Sequence, residues 1–443
     1  MYRHGVKPTL MVITLAVGML FLFQDAALAL PSYARQTGMS CNLCHTVFPE
    51  LTSFGRTFKA SGYTLSQMKK IHSPQTDNLG PLELNDTLPL SVMVQAADTI
   101  TAKSQPDTQN DDLQFPQQLS LFLAGEITPH IGSFMQVTYT QVDDKLTMDN
   151  TDLRFTDQTQ AGGKPLVYGL TLNNNPTVED LWNSTPAWSF PYAGPDVAPS
   201  PAAGAQIDGA LAQQVAGLGA YGFWDNTYYA AVTLYRAAQI GGASPPDATS
   251  ENTVDNMAPY WRLAWQHNMS DGYLQLGTYG LHAELYPSGV SGSTDRYTDY
   301  GFDATYSRRI GDNQLSLHAT YIYEDQKLKA SAPADTDHHL NTYRMDANYY
   351  LKGIVGLTAA VFRIDGDANP ALYAPAEVSG SRNNKPDSEG FICQVSYFPW
   401  QNVRLSGQYT WYTKFNGESD NYDGFGRDAA DNNTLYVLAW LLW

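Results

Sequence analysis

The chain has 443 residues, a formal net charge of −18, 12% aromatic residues and only 16% charged residues. Its acidity argues against nucleic acid as a partner and for cations or basic proteins. Of its three cysteines, two sit in one short motif, which leaves no pair for a disulfide.

Residues 1–29 read as an export signal. Arg3 and Lys7 form a short positive region, Leu10 to Phe23 is apolar, and Ala27-Leu28-Ala29 is a small-residue cleavage site. The apolar run falls short of the about 20 residues of a membrane-spanning helix, so cleavage is expected rather than a retained anchor. No later run is long enough for such a helix.

Residues 30–72 surround Cys41-Asn42-Leu43-Cys44-His45, a C-x-x-C-H pattern. This is the attachment site of a c-type haem: two thiols reach the two vinyl groups of one porphyrin, and the next residue lies beneath the iron. Cys41 and Cys44 are therefore the expected covalent attachments and His45 the proximal iron ligand, with one haem c per chain. A zinc half-site would need a second ligand pair, but the only other cysteine, Cys393, stands alone in an apolar strand pattern. A thioredoxin-like dithiol would need a βαβ context, and none is present. Met68 and His72 are the candidates for the distal ligand, with Met39 and Met93 close by; an open site is the other possibility. Val47, Leu51, Phe54 and Phe58 are spaced for an amphipathic helix after His45, shortened or broken by Pro49, Gly55 and Gly62. So short a segment builds little core alone, so a larger host must shelter the haem.

Residues 73–88 read as a linker. From residue 89 to 443 the pattern becomes period 2: Val403, Leu405, Tyr409 and Trp411 alternate with Arg404, Ser406, Gln408 and Thr410. Leu315, Leu317, Ala319 and Tyr321 alternate in the same way with Gln314, Ser316, His318 and Thr320. Tight connections are expected at 128–130, 225–226, 268–272, 311–313, 352–353 and 399–401. Long polar ones are expected at 98–116, 175–214, 238–258, 285–296, 326–339, 366–388 and 415–432. Short and long alternate, as in outer-membrane barrels, and about sixteen strands of roughly ten residues fit the chain, including strands near 150–156 and 166–173. The last of them closes on Trp443. Tyr228, Tyr229, Tyr260, Trp261, Tyr349, Tyr350, Trp411 and Tyr412 lie near strand ends, where aromatic girdles at a lipid interface are expected.

The expected fold is thus mainly β: a barrel in the cell outer membrane, with a small α-rich monohaem cytochrome c segment plugging its lumen. The long loops are rich in carboxylates, among them Asp107, Asp143, Asp335, Glu418 and Asp423. These suit divalent cations as a group, while each alone reads as solvated loop surface. The adjacent His338 and His339 read as incidental. No nucleophile–base constellation or phosphate loop is present.

The run from Pro31 through Ser40-Cys41-Asn42-Leu43-Cys44-His45, continuing Pro49-Glu50-Leu51-Thr52-Ser53-Phe54-Gly55-Arg56 and Lys59-Ala60-Ser61-Gly62-Tyr63, resembles the fused monohaem cytochrome–porins of iron-oxidising bacteria. The resemblance implies an outer-membrane cytochrome that oxidises extracellular Fe(II) and hands the electron to a periplasmic c-type cytochrome or copper protein. It implies haem attachment at Cys41 and Cys44 and ligation by His45, and it fixes neither the distal ligand nor an iron site. Three functions follow as expectations. One is a conduit in which Fe(II) reduces the haem near the outer mouth. Another is the same conduit with a different donor or acceptor, and the third is a diffusive porin in which the haem segment gates or senses.

Overall fold

The structure is a computed structural model and describes residues 30–65, 70–72, 83–238 and 246–443. The signal expected at 1–29 and Met68 lie outside the described residues. Three short helices come first: α1 (Pro31–Thr37), α2 (Cys41–Cys44) and α3 (Ser53–Ala60). A two-stranded ribbon follows, β1 (Lys70–His72) paired with β2 (Glu83–Asn85), so the stretch read as a linker holds one strand.

The wall runs β3 (Leu90–Thr101), β4 (Asp112–Thr128), β5 (Ile131–Thr140), β6 (Lys145–Ala161), β7 (Lys164–Asn173), β8 (Val215–Trp224) and β9 (Tyr228–Ala237). It continues β10 (Glu251–Val254), β11 (Ala258–Met269), β12 (Gly272–Ser288), β13 (Asp295–Ile310), β14 (Asn313–Lys327) and β15 (Asp337–Leu351). It ends with β16 (Val355–Gly366), β17 (Ser388–Trp400), β18 (Val403–Lys414) and β19 (Thr434–Leu442). Every pairing is antiparallel between chain neighbours, β9 pairs with β11, and β19 pairs back with β3, so the sheet closes. β10 only extends the rim of β12, which leaves 16 strands in the ring among the described residues. Closure leaves no unpaired strand edge in the ring of described strands.

The expected turns recur, and one more joins them. Gly162 and Gly163, at φ of 62° and 76°, link β6 to β7 in a turn that needs left-handed backbone. The opposite rim carries the long connections, with one exception: β5 and β6 are joined there by residues 141–144 alone.

Along the strands polar residues point in and apolar residues point out. Arg404, Ser406, Gln408 and Thr410 are buried, while Leu218, Val232, Leu263, Phe302, Phe391 and Val395 are exposed on the outer face. Cys393 lies on that outer face too. The aromatic girdle is only half as expected. Tyr228 and Trp411 are exposed, but Tyr229, Tyr260 and Tyr350 are buried and turned inward. The reason is the pleat: consecutive residues on a strand face opposite sides, so an adjacent aromatic pair cannot both meet lipid.

One arc breaks the polar-inside rule. Met93 and Ala97 of β3, Phe122 of β4, Phe134 of β5, and Tyr436, Leu438, Trp440 and Leu442 of β19 form an apolar lining. Against it pack Leu30, Tyr33, Phe48, Phe54, Phe58 and Tyr63 of the N-terminal segment. That segment reaches round the inner wall. Tyr33 donates to the Ser133 carbonyl at 2.6 Å, Tyr63 to Asp152 at 2.8 Å, and Tyr221 donates to the Ala60 carbonyl at 2.7 Å. Ser316 donates to Glu50 at 2.7 Å from a distant strand. The loop 174–214 also folds inward, so residues 30–65 and this loop share the lumen.

Candidate functional site

The site begins with a single helical turn. Cys41 and Cys44 stand three residues apart on α2, which puts both thiols on one side. His45 caps the turn, its N–H donating to the Cys41 carbonyl at 2.9 Å, and then continues in extended backbone. Residues 46–50 double back, with Thr46 N–H on the Glu50 carbonyl at 3.1 Å and His45 bridged to Leu51. The helix expected directly after His45 starts only at Ser53, because Thr52 takes the N-cap and accepts from Gly55 N–H at 3.1 Å. Thr52 N–H also holds the Cys44 carbonyl at 2.9 Å. Gly55 is required here: a Cβ would stand 2.1 Å from that carbonyl oxygen.

Cys41, Cys44 and His45 all line one cavity of about 380 Å³. Its other walls are Phe54 and Phe58 from α3, Met93 and Trp440 from the apolar arc, and Trp188 and Tyr192 from the inward loop. That size falls in the usual range for cofactor pockets, roughly 300–1,000 Å³. A second cavity of about 190 Å³ shares Cys41, His45 and Trp440 with the first and reaches Lys352, Gly353, Gln401 and Asn402. These last residues form tight turns, so the motif faces the tight-turn rim. Glu50 anchors residues 46–51 there, to the tight-turn halves of β14 and β15.

Glu50 is buried and accepts from Ser316, from Tyr350 at 3.2 Å and from Thr46 at 3.2 Å. Burial raises its pKa despite the nearby His318 and the Ser316 hydroxyl. Burial likewise pushes the His45 imidazole down to about 4, only partly offset by the Glu50 and Pro49 backbone. The ring is therefore neutral, with a lone pair to offer, at any pH above that value. Its buried Nδ1 has no hydrogen-bond partner among the described residues. Burial pushes the Cys41 thiol up to about 12 and the Cys44 thiol to about 11.

A covalently attached haem fits this set. Two thiols, a neutral imidazole and a mainly apolar cavity with aromatic walls are what such a group needs. Of the distal candidates, the His72 backbone lies in β1 opposite Glu83, while its side chain and all of Met68 lie outside the described residues. Met39 and Met93 line the cavity itself. Among the described residues no three His, Cys, Asp or Glu side chains gather to hold a metal ion. Of the loop carboxylates, Asp423 is buried and accepts from the N–H groups of Phe425 and Val378. His338 is buried, and His339 meets Asp367 at 2.6 Å.

The inward loop differs from this site. Arg262 meets Asp303 at 2.7 Å and Asp180 at 3.0 Å, Arg154 meets Asp152 at 2.7 Å, and all five side chains are fully buried. Glu179 accepts from Tyr260 at 2.9 Å and from Tyr229. The Arg262 pairs are not signalled by spacing, because Asp180 and Asp303 lie far from it in the chain, whereas Asp152 and Arg154 stand two apart on one face of β6.

No family model and no curated protein matches the chain. Among solved structures it is similar to the outer membrane channel DcaP of Acinetobacter baumannii, at 12% identity over 80% of this chain and 96% of that one, with a TM-score of 0.49. It is also similar to an anion-selective porin from Comamonas acidovorans, at 13% identity over 80% and 98%, TM-score 0.47. A third is the outer membrane protein OmpT of Vibrio cholerae, at 12% identity over 80% and 96%, TM-score 0.42.

Proposed function

We propose that this chain is an outer-membrane electron-transfer protein that carries one covalently bound haem c inside its barrel. In this reading it takes electrons from extracellular Fe(II) and passes them to a periplasmic c-type cytochrome or copper protein. The observation that carries the reading is that Cys41, Cys44 and His45 line one largely apolar cavity inside a closed barrel. The exposed apolar outer face suits membrane lipid, and the short turns suit the periplasmic side.

A haem bound there would supply one-electron Fe(III)/Fe(II) chemistry. Cys41 and Cys44 would hold it through thioethers, and His45 would ligate its iron through an imidazole nitrogen. Phe54, Phe58, Trp188 and Trp440 exclude water and lower the local dielectric, which together with the ligands sets the potential. Each external Fe(II) becomes Fe(III) as one electron enters, and one electron leaves to the periplasmic carrier. Because the motif faces the tight-turn rim, the hand-off to that carrier is the short step. Keeping iron outside prevents insoluble Fe(III) from forming in the periplasm. The fully buried ion pairs of the inward loop, beside the N-terminal segment, favour a conduit over a diffusive pore.

The test is anaerobic visible spectroscopy of purified, detergent-solubilised protein on addition of Fe(II). Rapid appearance of a reduced c-type spectrum supports the reading. A haem that dithionite reduces and Fe(II) does not, at any pH, retains the conduit and discards iron as the donor. Free solute flux through reconstituted barrels would favour a gated pore instead.

A further inference from the structure

Arg404 points inward from β18 and lines the 190 Å³ cavity together with Cys41, His45 and Trp440. It is buried, yet its Nε and Nη1 have no hydrogen-bond partner among the described residues. Its guanidinium lies 5.6 Å from the Tyr192 ring and 5.7 Å from the Trp440 ring, and those rings line the larger cavity. The ionisable groups that face it are the phenols of Tyr350, Tyr192 and Tyr436, with no carboxylate among them. Glu50, beside the same phenols, already has its oxygens engaged by hydroxyls. Arg262 and Arg154 meet carboxylates, while Arg56 donates to the Leu51 carbonyl at 2.7 Å and leaves its Nε alone without a partner among the described residues.

A buried guanidinium with two open donors is costly unless an anion completes it, and its planar fork matches a carboxylate. An anion that reaches Arg404 from the cavity wall shared with Cys41 and His45 has an obvious source in the reading above. We infer that Arg404 is the seat of a porphyrin carboxylate, pairing with one propionate of the haem attached at Cys41 and Cys44. The inference rests on that reading. Arg404 would thus orient the macrocycle through that propionate and hold the propionate ionised. A bound negative charge left without its counter-charge would favour Fe(III), so the pair also raises the potential. A free inorganic anion is the competing occupant, since it offers the same charge.

The experiment compares full-length holoprotein in detergent as wild type, Arg404→Lys and Arg404→Gln. Resonance Raman reads the propionate bending band, and spectroelectrochemistry reads the potential against pH. The wild-type potential should be flat across the acid-to-neutral range. Arg404→Gln should shift the band, lower the potential and make it pH-dependent, because the propionate now titrates. Arg404→Lys keeps the charge and loses the fork, so the band should shift while the potential largely holds. If Arg404→Gln does not fold, the Lys variant decides alone. A band and pH profile unchanged in the holo variants overturns the inference, as does a wild-type potential that moves with added chloride or phosphate. Wild type that carries no covalent haem refutes the functional reading itself, a different outcome from either.

Discussion

The lumen is filled by two pieces of chain that meet opposite electrostatic fates. The inward loop is closed by complete ion pairs: Arg262 lies between Asp180 and Asp303, and Glu179 is held by two phenols. The N-terminal segment leaves a 380 Å³ cavity, an orphaned His45 Nδ1 and two open donors on Arg404. Both regions are buried in the same barrel, so burial alone does not explain the contrast. Buried ion pairs that complete each other are stable as they stand, whereas buried donors that face a cavity without a partner are suited to a group bound there. On the proposed function the loop closes the lumen and the segment is the holder of the haem.

The largest expected effect comes from emptying the holder. Replacing Cys41 and Cys44 together by alanine should abolish covalently retained haem while the barrel still folds. Haem staining after denaturing electrophoresis and the β-type circular dichroism of the same sample check both halves. Loss of the barrel signal would show that the segment is structural after all, and the contrast would break. The next effect makes the satisfied region unsatisfied. Arg262→Met leaves Asp180 and Asp303 buried without their counter-charge, at a cost of about 3–5 kcal/mol. Denaturant unfolding in detergent should show it, with solute flux through reconstituted barrels rising as the loop comes loose.

A smaller change sharpens the contrast within the holder. Gly55→Ala places a Cβ 2.1 Å from the Cys44 carbonyl oxygen, backbone that cannot simply swing aside. Overpacking of this kind costs about 1–3 kcal/mol. It should push α2 away from α3 and lower the yield of attached haem, read from the Soret absorbance per polypeptide, with the loop network untouched.

Much of the barrel is legible in the sequence because its determinants are local: period-2 alternation and short turn residues. The attachment motif is legible for the same reason, five consecutive residues carrying the whole signal. Two readable signals point further. Residues 434–443 run Thr-Leu-Tyr-Val-Leu-Ala-Trp-Leu-Leu-Trp with no polar alternation, which marks a strand covered on both faces and so an apolar occupant inside. The Gly162-Gly163 pair marks the β6–β7 turn. What is not legible depends on register. Arg404 reads as one more polar residue in an alternating strand, and only closure of the ring brings it beside Cys41. Likewise Asp180 and Arg262 are 82 residues apart, and nothing nearby in either stretch announces the pair.

Lys59 joins the two regions. It sits on α3, donates to the Asp180 carbonyl at 2.6 Å and to Asn183 at 3.1 Å, and lies 4.6 Å from the Trp188 ring centre. Burial, helped by the Arg154 charge, pulls its ammonium down from an ordinary 10.5 to about 7, against the pull of Asp180 and Asp152. The unfolded chain therefore keeps this proton up to about 10.5, while the folded one releases it near 7. Between those values the unfolded state binds more protons, so stability rises with pH, by about 1 kcal/mol per pH unit at its steepest. Below about 7 both states hold the proton and the slope vanishes. Lys59→Met keeps the length and removes the charge, so the slope should disappear across the window, while the loss of two hydrogen bonds shifts the whole curve. Amide exchange of α3, corrected for its intrinsic dependence on pH, reads the slope directly. A slope that survives in Lys59→Met would assign it to another group and leave the join between loop and segment resting on packing against Trp188.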